Sequence, residues 1–171
     1  MEEIHYEIFD TANTNHKAAA DVLQTWTASE HMIPLSFQKI SSHLLGVLAF
    51  TGKDNELLGY RAVTESYDNG NWLEIGGIVI DPTKRGRGLG QIVANTQFQL
   101  AKETYPSSNF VIFANPTSIR ISQNQGFEVV SSISDVPSEA LDLCKQECKQ
   151  FTSACSIGRI CCDEILVYHQ K

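Results

Sequence analysis

The sequence of 171 residues predicts a mixed α/β fold of the α+β type: six to seven mostly antiparallel strands in one sheet, flanked by helices. Three observations carry this reading. Short β-rich runs joined by turn signals come first, and a strand–helix–strand–helix–strand alternation follows. No repeat, linker or low-complexity tract interrupts them, so residues 1–171 read as one domain with a core of its own.

Ile4 to Phe9 alternates loosely and reads as an opening strand. Thr14 or Asn15 caps a helix with Val22, Leu23 and Trp26 on one face. Pro34 interrupts, and Ser36 caps a short second helix through Phe37 and Ile40. Leu44 to Phe50 is a strand, turned by Gly52-Lys53-Asp54-Asn55 into another from Leu57 to Thr64. Asn69-Gly70 is a hairpin signal before a strand from Trp72 to Ile80. Leu89, Ile92, Val93, Thr96 and Leu100 recur at helical spacing until Pro106. Phe110 to Ala114 is a buried strand, and Thr117 to Gln125 a helix ended by Gly126. Phe127 to Val130 is a strand, Ser138 to Gln150 a helix, and Ile165 to Tyr168 the final strand.

Thirteen Lys and Arg against twenty Asp and Glu leave a net charge of −7. That acidic balance argues against a general nucleic-acid or anionic-membrane binder, since both attract basic surfaces. The acidic start Met1-Glu2-Glu3 is unlike a secretory signal, no apolar stretch is long enough to span a membrane, and a cytoplasmic location is expected. All five cysteines fall between Cys144 and Cys162. Cys144 and Cys148 share a helix face at i and i+4, and a structural zinc on Cys144, Cys148, Cys155 and Cys161 or Cys162 is one reading. Buried free thiols and a disulfide or redox role stay open beside it, because no C-x-x-C pair is present and cytosolic thiols are normally reduced. No metal is assigned.

Six of eleven glycines lie between Gly70 and Gly90. The run Ile78-Val79-Ile80-Asp81-Pro82-Thr83-Lys84-Arg85-Gly86-Arg87-Gly88-Leu89-Gly90 takes an apolar strand through a basic, glycine-rich turn into an amphipathic helix. Such a turn is an anion cradle: glycines admit positive φ and close approach, and the helix start offers N–H groups without partners. The run lacks the Gly-Lys-Ser/Thr of a P-loop, and its G-x-G-x-G spacing is not the dinucleotide fingerprint. A plain turn with solvated arginines is the alternative.

The stretch Ile80-x-Pro82-x-x-Arg85-Gly86-x-Gly88-x-Gly90 resembles the acyl-CoA pyrophosphate loop of the GNAT superfamily of N-acetyltransferases. A second block, Asn115, Ser118 and Gly126-Phe127, is similar to a pattern of the same family, in the right order. The resemblance is firm for residues 72–130 and weak after 131. It implies a GNAT-like sheet with splayed central strands, acetyl-CoA as cosubstrate, and direct attack by an amine on the thioester. Backbone groups of Ile78 and Ile80 would pair with the pantetheine arm. N–H groups of Arg85, Gly86, Arg87, Gly88, Leu89 and Gly90 would hold the pyrophosphate. Asn115 and Ser118 would lie at the CoA, and the Val79 N–H or a neighbour would stabilise the oxyanion.

Glu74 stands where many members place a basic carboxylate, and a strand glutamate paired with a cation is its alternative. Ser122 occupies the proton-donor position where the family often has Tyr, and an aliphatic hydroxyl is a much weaker acid than a phenol. Tyr168 is a substitute on this reading or, more simply, a core tyrosine. The acceptor is a small-molecule or peptide amine, for which Glu30, Glu65 and Asp68 are candidate acidic neighbours, and the chain is expected as monomer or homodimer. The alternatives are a CoA-binding module that has lost its chemistry and a zinc-stabilised interaction protein.

Overall fold

The computed structural model describes residues 3–28, 35–147 and 164–170. Its strands are β1 (Ile4–Ile8), β2 (Leu45–Thr51), β3 (Leu57–Tyr67), β4 (Trp72–Ile75), β5 (Val79–Ile80), β6 (Asn109–Ala114), β7 (Glu128–Val129) and β8 (Glu164–Tyr168). Its helices are α1 (Thr14–Thr27), α2 (Phe37–Ser41), α3 (Leu89–Thr104), α4 (Pro116–Gln123) and α5 (Ser138–Glu147). Mixed α/β architecture with mostly antiparallel strands is therefore what the chain adopts, with eight strands among the described residues where six to seven were expected. They fall in two compact units, one holding the described residues up to Thr64 with Gly76–Ala101, the other Glu65–Ile75 with the described residues from Lys102 on.

In the first unit, β2 pairs antiparallel with both β1 and β3, and β3 pairs antiparallel with β5. Ser36 caps α2 through the Lys39 N–H, as expected. α1 is capped by Asn13 instead of Thr14 or Asn15, and its buried face runs through His16, Ala19, Ala20, Leu23 and Thr27. Val22, expected inward, is 40% exposed. Ala19 and Ala20 let the helix lie close on Leu48, Phe50 and Tyr60, and burying a side chain such as Leu23 there contributes roughly 1.5–3 kcal/mol. His16 enters this core because its Nδ1 accepts the Asp10 N–H at 2.9 Å and its Nε2 meets Glu7 at 2.7 Å. α3 is also rotated from expectation. It buries Val93, Ala94, Gln97, Phe98 and Ala101, an i, i+4, i+8 stripe that runs through a glutamine.

In the second unit, β4 and β6 run parallel, and β8 pairs antiparallel with β6 and β7. Tyr67, Val111, Val136, Ala140, Ile165 and Val167 form its core on the face covered by α5. The link from β3 to β4 turns through Asp68, Asn69 and Gly70, with φ of 48°, 53° and 92°. Gly126, at φ 89°, follows the end of α4.

The single strand expected over Trp72–Ile80 is two strands. β4 pairs with β6 in the second unit, β5 pairs with β3 in the first, and Gly76, Gly77 and Ile78 belong to neither. Gly76 donates its N–H to Ala62 at 3.0 Å, and a Cβ on it would stand 2.3 Å from Thr64 Cγ2. Any side chain there would force Thr64 to shift. Cys144 lies on α5, while Cys148, Cys155, Cys161, Cys162 and Glu30 are outside the described residues. Among the described residues no group of three or more His, Cys, Asp or Glu is placed to hold a metal, and no helix is long and apolar enough to cross a membrane.

Candidate active site

The glycine loop begins where β5 ends. Asp81 is buried, and its Oδ1 accepts the Thr83 N–H at 2.8 Å, setting a 3-10 turn over Pro82–Lys84. Gly86 and Gly88 then take φ of 78° and 79°, and a Cβ at either would meet nothing within 4 Å. Neither glycine is needed to make room for the protein itself, so the loop presents bare backbone to the space outside. The Gly88 carbonyl accepts from Gln91 and Ile92, so the hydrogen-bond ladder of α3 starts there. The N–H groups of Leu89 and Gly90 lie ahead of that ladder, at the positive end of a 16-residue helix.

The three basic side chains beside the loop differ. Lys84 is ion-paired with Glu56. Arg85 is exposed and donates its Nε to the Ile80 carbonyl at 3.2 Å, bracing the turn, while Arg87 is exposed. The basic patch is thus partly used internally, and the backbone N–H groups are the loop's main donors.

β5 has one edge on β3. The Asp81 N–H bonds to the Leu58 carbonyl at 3.0 Å, and the registers Tyr60–Val79 and Gly59–Ile80 extend that ladder. Alternation in an antiparallel pair turns the Val79 amide toward β3 and that of Ile80 away. The Val79 amide is thus directed into the ladder with β3, and the Ile80 amide lies on the opposite edge of β5.

In the second unit, Glu74 is half-buried on β4. Its Oε2 accepts the Tyr67 hydroxyl at 2.5 Å. Trp72 shares Glu74's face, about 7 Å along the strand. A cavity of about 330 Å³ beside Trp72 is lined by Asp68, Asp135 and Glu139. A larger one, about 540 Å³, is lined by Lys102, Glu128, Tyr168, His169 and Gln170 and contains none of the expected site residues.

The family model of the GNAT acetyltransferases matches residues 6–127. The chain belongs to the GNAT acetyltransferase family. Solved GNAT structures have the same fold at low identity. The Tetrahymena GCN5 histone acetyltransferase catalytic domain, in complex with coenzyme A, is 12% identical over 98% of this chain and 93% of that one, with a TM-score of 0.63. Escherichia coli YhbS, a GNAT family N-acetyltransferase in complex with CoA, is 14% identical over 75% and 71% of the two chains, with a TM-score of 0.55. N-acetylglutamate synthase from Neisseria gonorrhoeae, with coenzyme A and N-acetyl-glutamate, is 17% identical over all of this chain and 36% of that one, with a TM-score of 0.62. No curated protein matches the chain in sequence.

Four other positions expected in this GNAT chain's site are placed by their own packing and hydrogen bonding. Asn115 and Ser118 form a reciprocal capping box on α4: Asn115 Oδ1 accepts the Ser118 N–H at 3.0 Å, and Ser118 Oγ accepts the Asn115 N–H at 3.0 Å. That leaves the exposed Asn115 Nδ2 as the group able to reach a ligand. Ser122 is fully buried, and its Oγ has no hydrogen-bond partner among the described residues. A sealed hydroxyl is poorly placed to meet a departing thiolate. Tyr168 is a half-buried packing residue, with Phe127 and Phe110 at ring distances of 5.6 and 6.4 Å and the Lys102 Nζ 5.9 Å over its face. Sequence reasoning missed Tyr67. Its only signal was an aromatic seven positions before Glu74, across a hairpin turn.

Proposed function

We propose that this chain moves the acetyl group of acetyl-CoA to a primary amine by direct attack within a ternary complex. The observation that carries this reading is the Arg85–Gly90 loop, where two open glycines at positive φ precede the start of α3. Backbone N–H groups there would hold the pyrophosphate, Ile78 and Ile80 would pair with the pantetheine, and Arg87 would add charge.

A lysine-like amine has a pKa near 10.4, so roughly one molecule in 2,500 is nucleophilic at pH 7. The neutral amine attacks, and Glu74 takes one proton from its nitrogen, directly or through a water, as the N–C bond forms. The Ile78 or Ile80 N–H stabilises the tetrahedral oxyanion. The C–S bond then breaks, and CoA departs as a thiolate without a dedicated protein acid, since a thiol near pKa 8.5 is a tolerable leaving group. The carboxylates of Asp68, Asp135 and Glu139 support a cationic acceptor over an anionic one.

The burial of Ser122 favours one rival, a module that binds CoA without turning it over. A thiol-release assay with acetyl-CoA and a panel of amines separates the two. Amine-dependent release with an N-acetylated product is expected, and tight CoA binding without release on every amine would establish the module.

A further inference from the structure

Tyr67 is only 7% exposed, packed among Val111, Val136, Ala140 and Ile165, yet its hydroxyl ends on a half-buried carboxylate. A buried phenol must find a hydrogen-bond partner, and its ring, held by a core, has little freedom to leave it. The contact spans the turn that joins β3 to β4. Asp68 and Asn69 hold φ of 48° and 53° there, a region side chains rarely adopt, and Gly70 holds 92°. That turn fixes which residues of the two strands stand side by side, and so brings Tyr67 to Glu74.

We propose that Tyr67 is the positioning residue of Glu74. Its O–H holds Oε2 and fixes the carboxylate's rotamer. What Tyr67 contributes is placement of the carboxylate. Placement is worth much of a proton-transfer step, because a base must lie within hydrogen-bond reach of the proton it removes. This inference rests on Glu74 being the base.

The test is a double-mutant cycle of Tyr67→Phe and Glu74→Gln, read as kcat and as KM for acetyl-CoA. Tyr67→Phe should lower kcat about tenfold, the scale of one hydrogen bond to a charged group, with KM unchanged. On the Glu74→Gln background the same substitution should add no further loss. Glu74→Asp withdraws the carboxylate by one methylene while leaving Tyr67 in place, and should likewise be insensitive to Tyr67→Phe. Equal losses on both backgrounds would make Tyr67 a structural residue and overturn the proposal. So would undiminished kcat in Tyr67→Phe beside a slow Glu74→Gln, a result that leaves the base intact. Full turnover in Glu74→Gln would remove the base reading, and the positioning role with it.

Discussion

The Arg85–Gly90 loop and the Tyr67–Glu74 hairpin use different parts of the chain. The loop offers backbone: two glycines at positive φ with open space beside them, ahead of a helix start. The hairpin offers side chains, a carboxylate and a buried phenol brought together by strand pairing. Binding by backbone depends on a few local residue types, whereas proton transfer depends on a register set elsewhere in the chain. The two regions should therefore fail differently when altered.

The largest effect is expected from Glu74→Gln, which should lower turnover by about two orders of magnitude or more while CoA affinity, measured by calorimetry, stays the same. Loss of affinity in that variant would erase the distinction between the regions. Gly88→Trp should do the reverse. No protein atom lies within 4 Å of a Cβ there, so the ring projects into the space a pyrophosphate would occupy. A loss of CoA affinity of about tenfold or more is expected, sharpened by the strain of a side chain at φ 79°. Unchanged affinity would show that the loop is not the phosphate site.

Asn115→Ala should lower stability by about 1 kcal/mol through loss of the α4 cap, seen as a drop in Tm. If CoA affinity falls while Tm holds, Asn115 acts as a ligand contact more than as a cap. A further effect tests whether stability responds to pH through the first unit. His43 shares a 2.7 Å hydrogen bond with Tyr60 in the first unit, and burial holds its pKa at about 4 against an ordinary 6.5. Between those values the unfolded chain binds the proton and the folded chain does not, so stability should fall as pH drops through that window. His43→Gln should flatten the fall in urea titrations, and an unaltered slope would place its origin in another group.

Legibility in the sequence follows the same division. The loop could be read because glycine at positive φ and a helix start are local demands, and α2 could be read from Ser36 and the residues it caps. The face of α3 was misjudged because the core accepts Gln97, a residue that apolar periodicity passes over. The break between β4 and β5 was hidden because Ile75 and Val79 are both strand-like, while Gly76, Gly77 and Ile78 between them leave the strand. Tyr67 could not be foreseen, since its hydroxyl meets Glu74 only through the geometry of a turn with three successive positive φ values. Ser122 sits at a motif position, but motif spacing carries no information on burial.

Direct transfer is the central claim, and initial-velocity kinetics with acetyl-CoA and an accepted amine varied together test it most directly. Intersecting lines are predicted, with no acetyl group retained on the protein by mass. Parallel lines with an acetylated enzyme would contradict the account and point to a covalent intermediate.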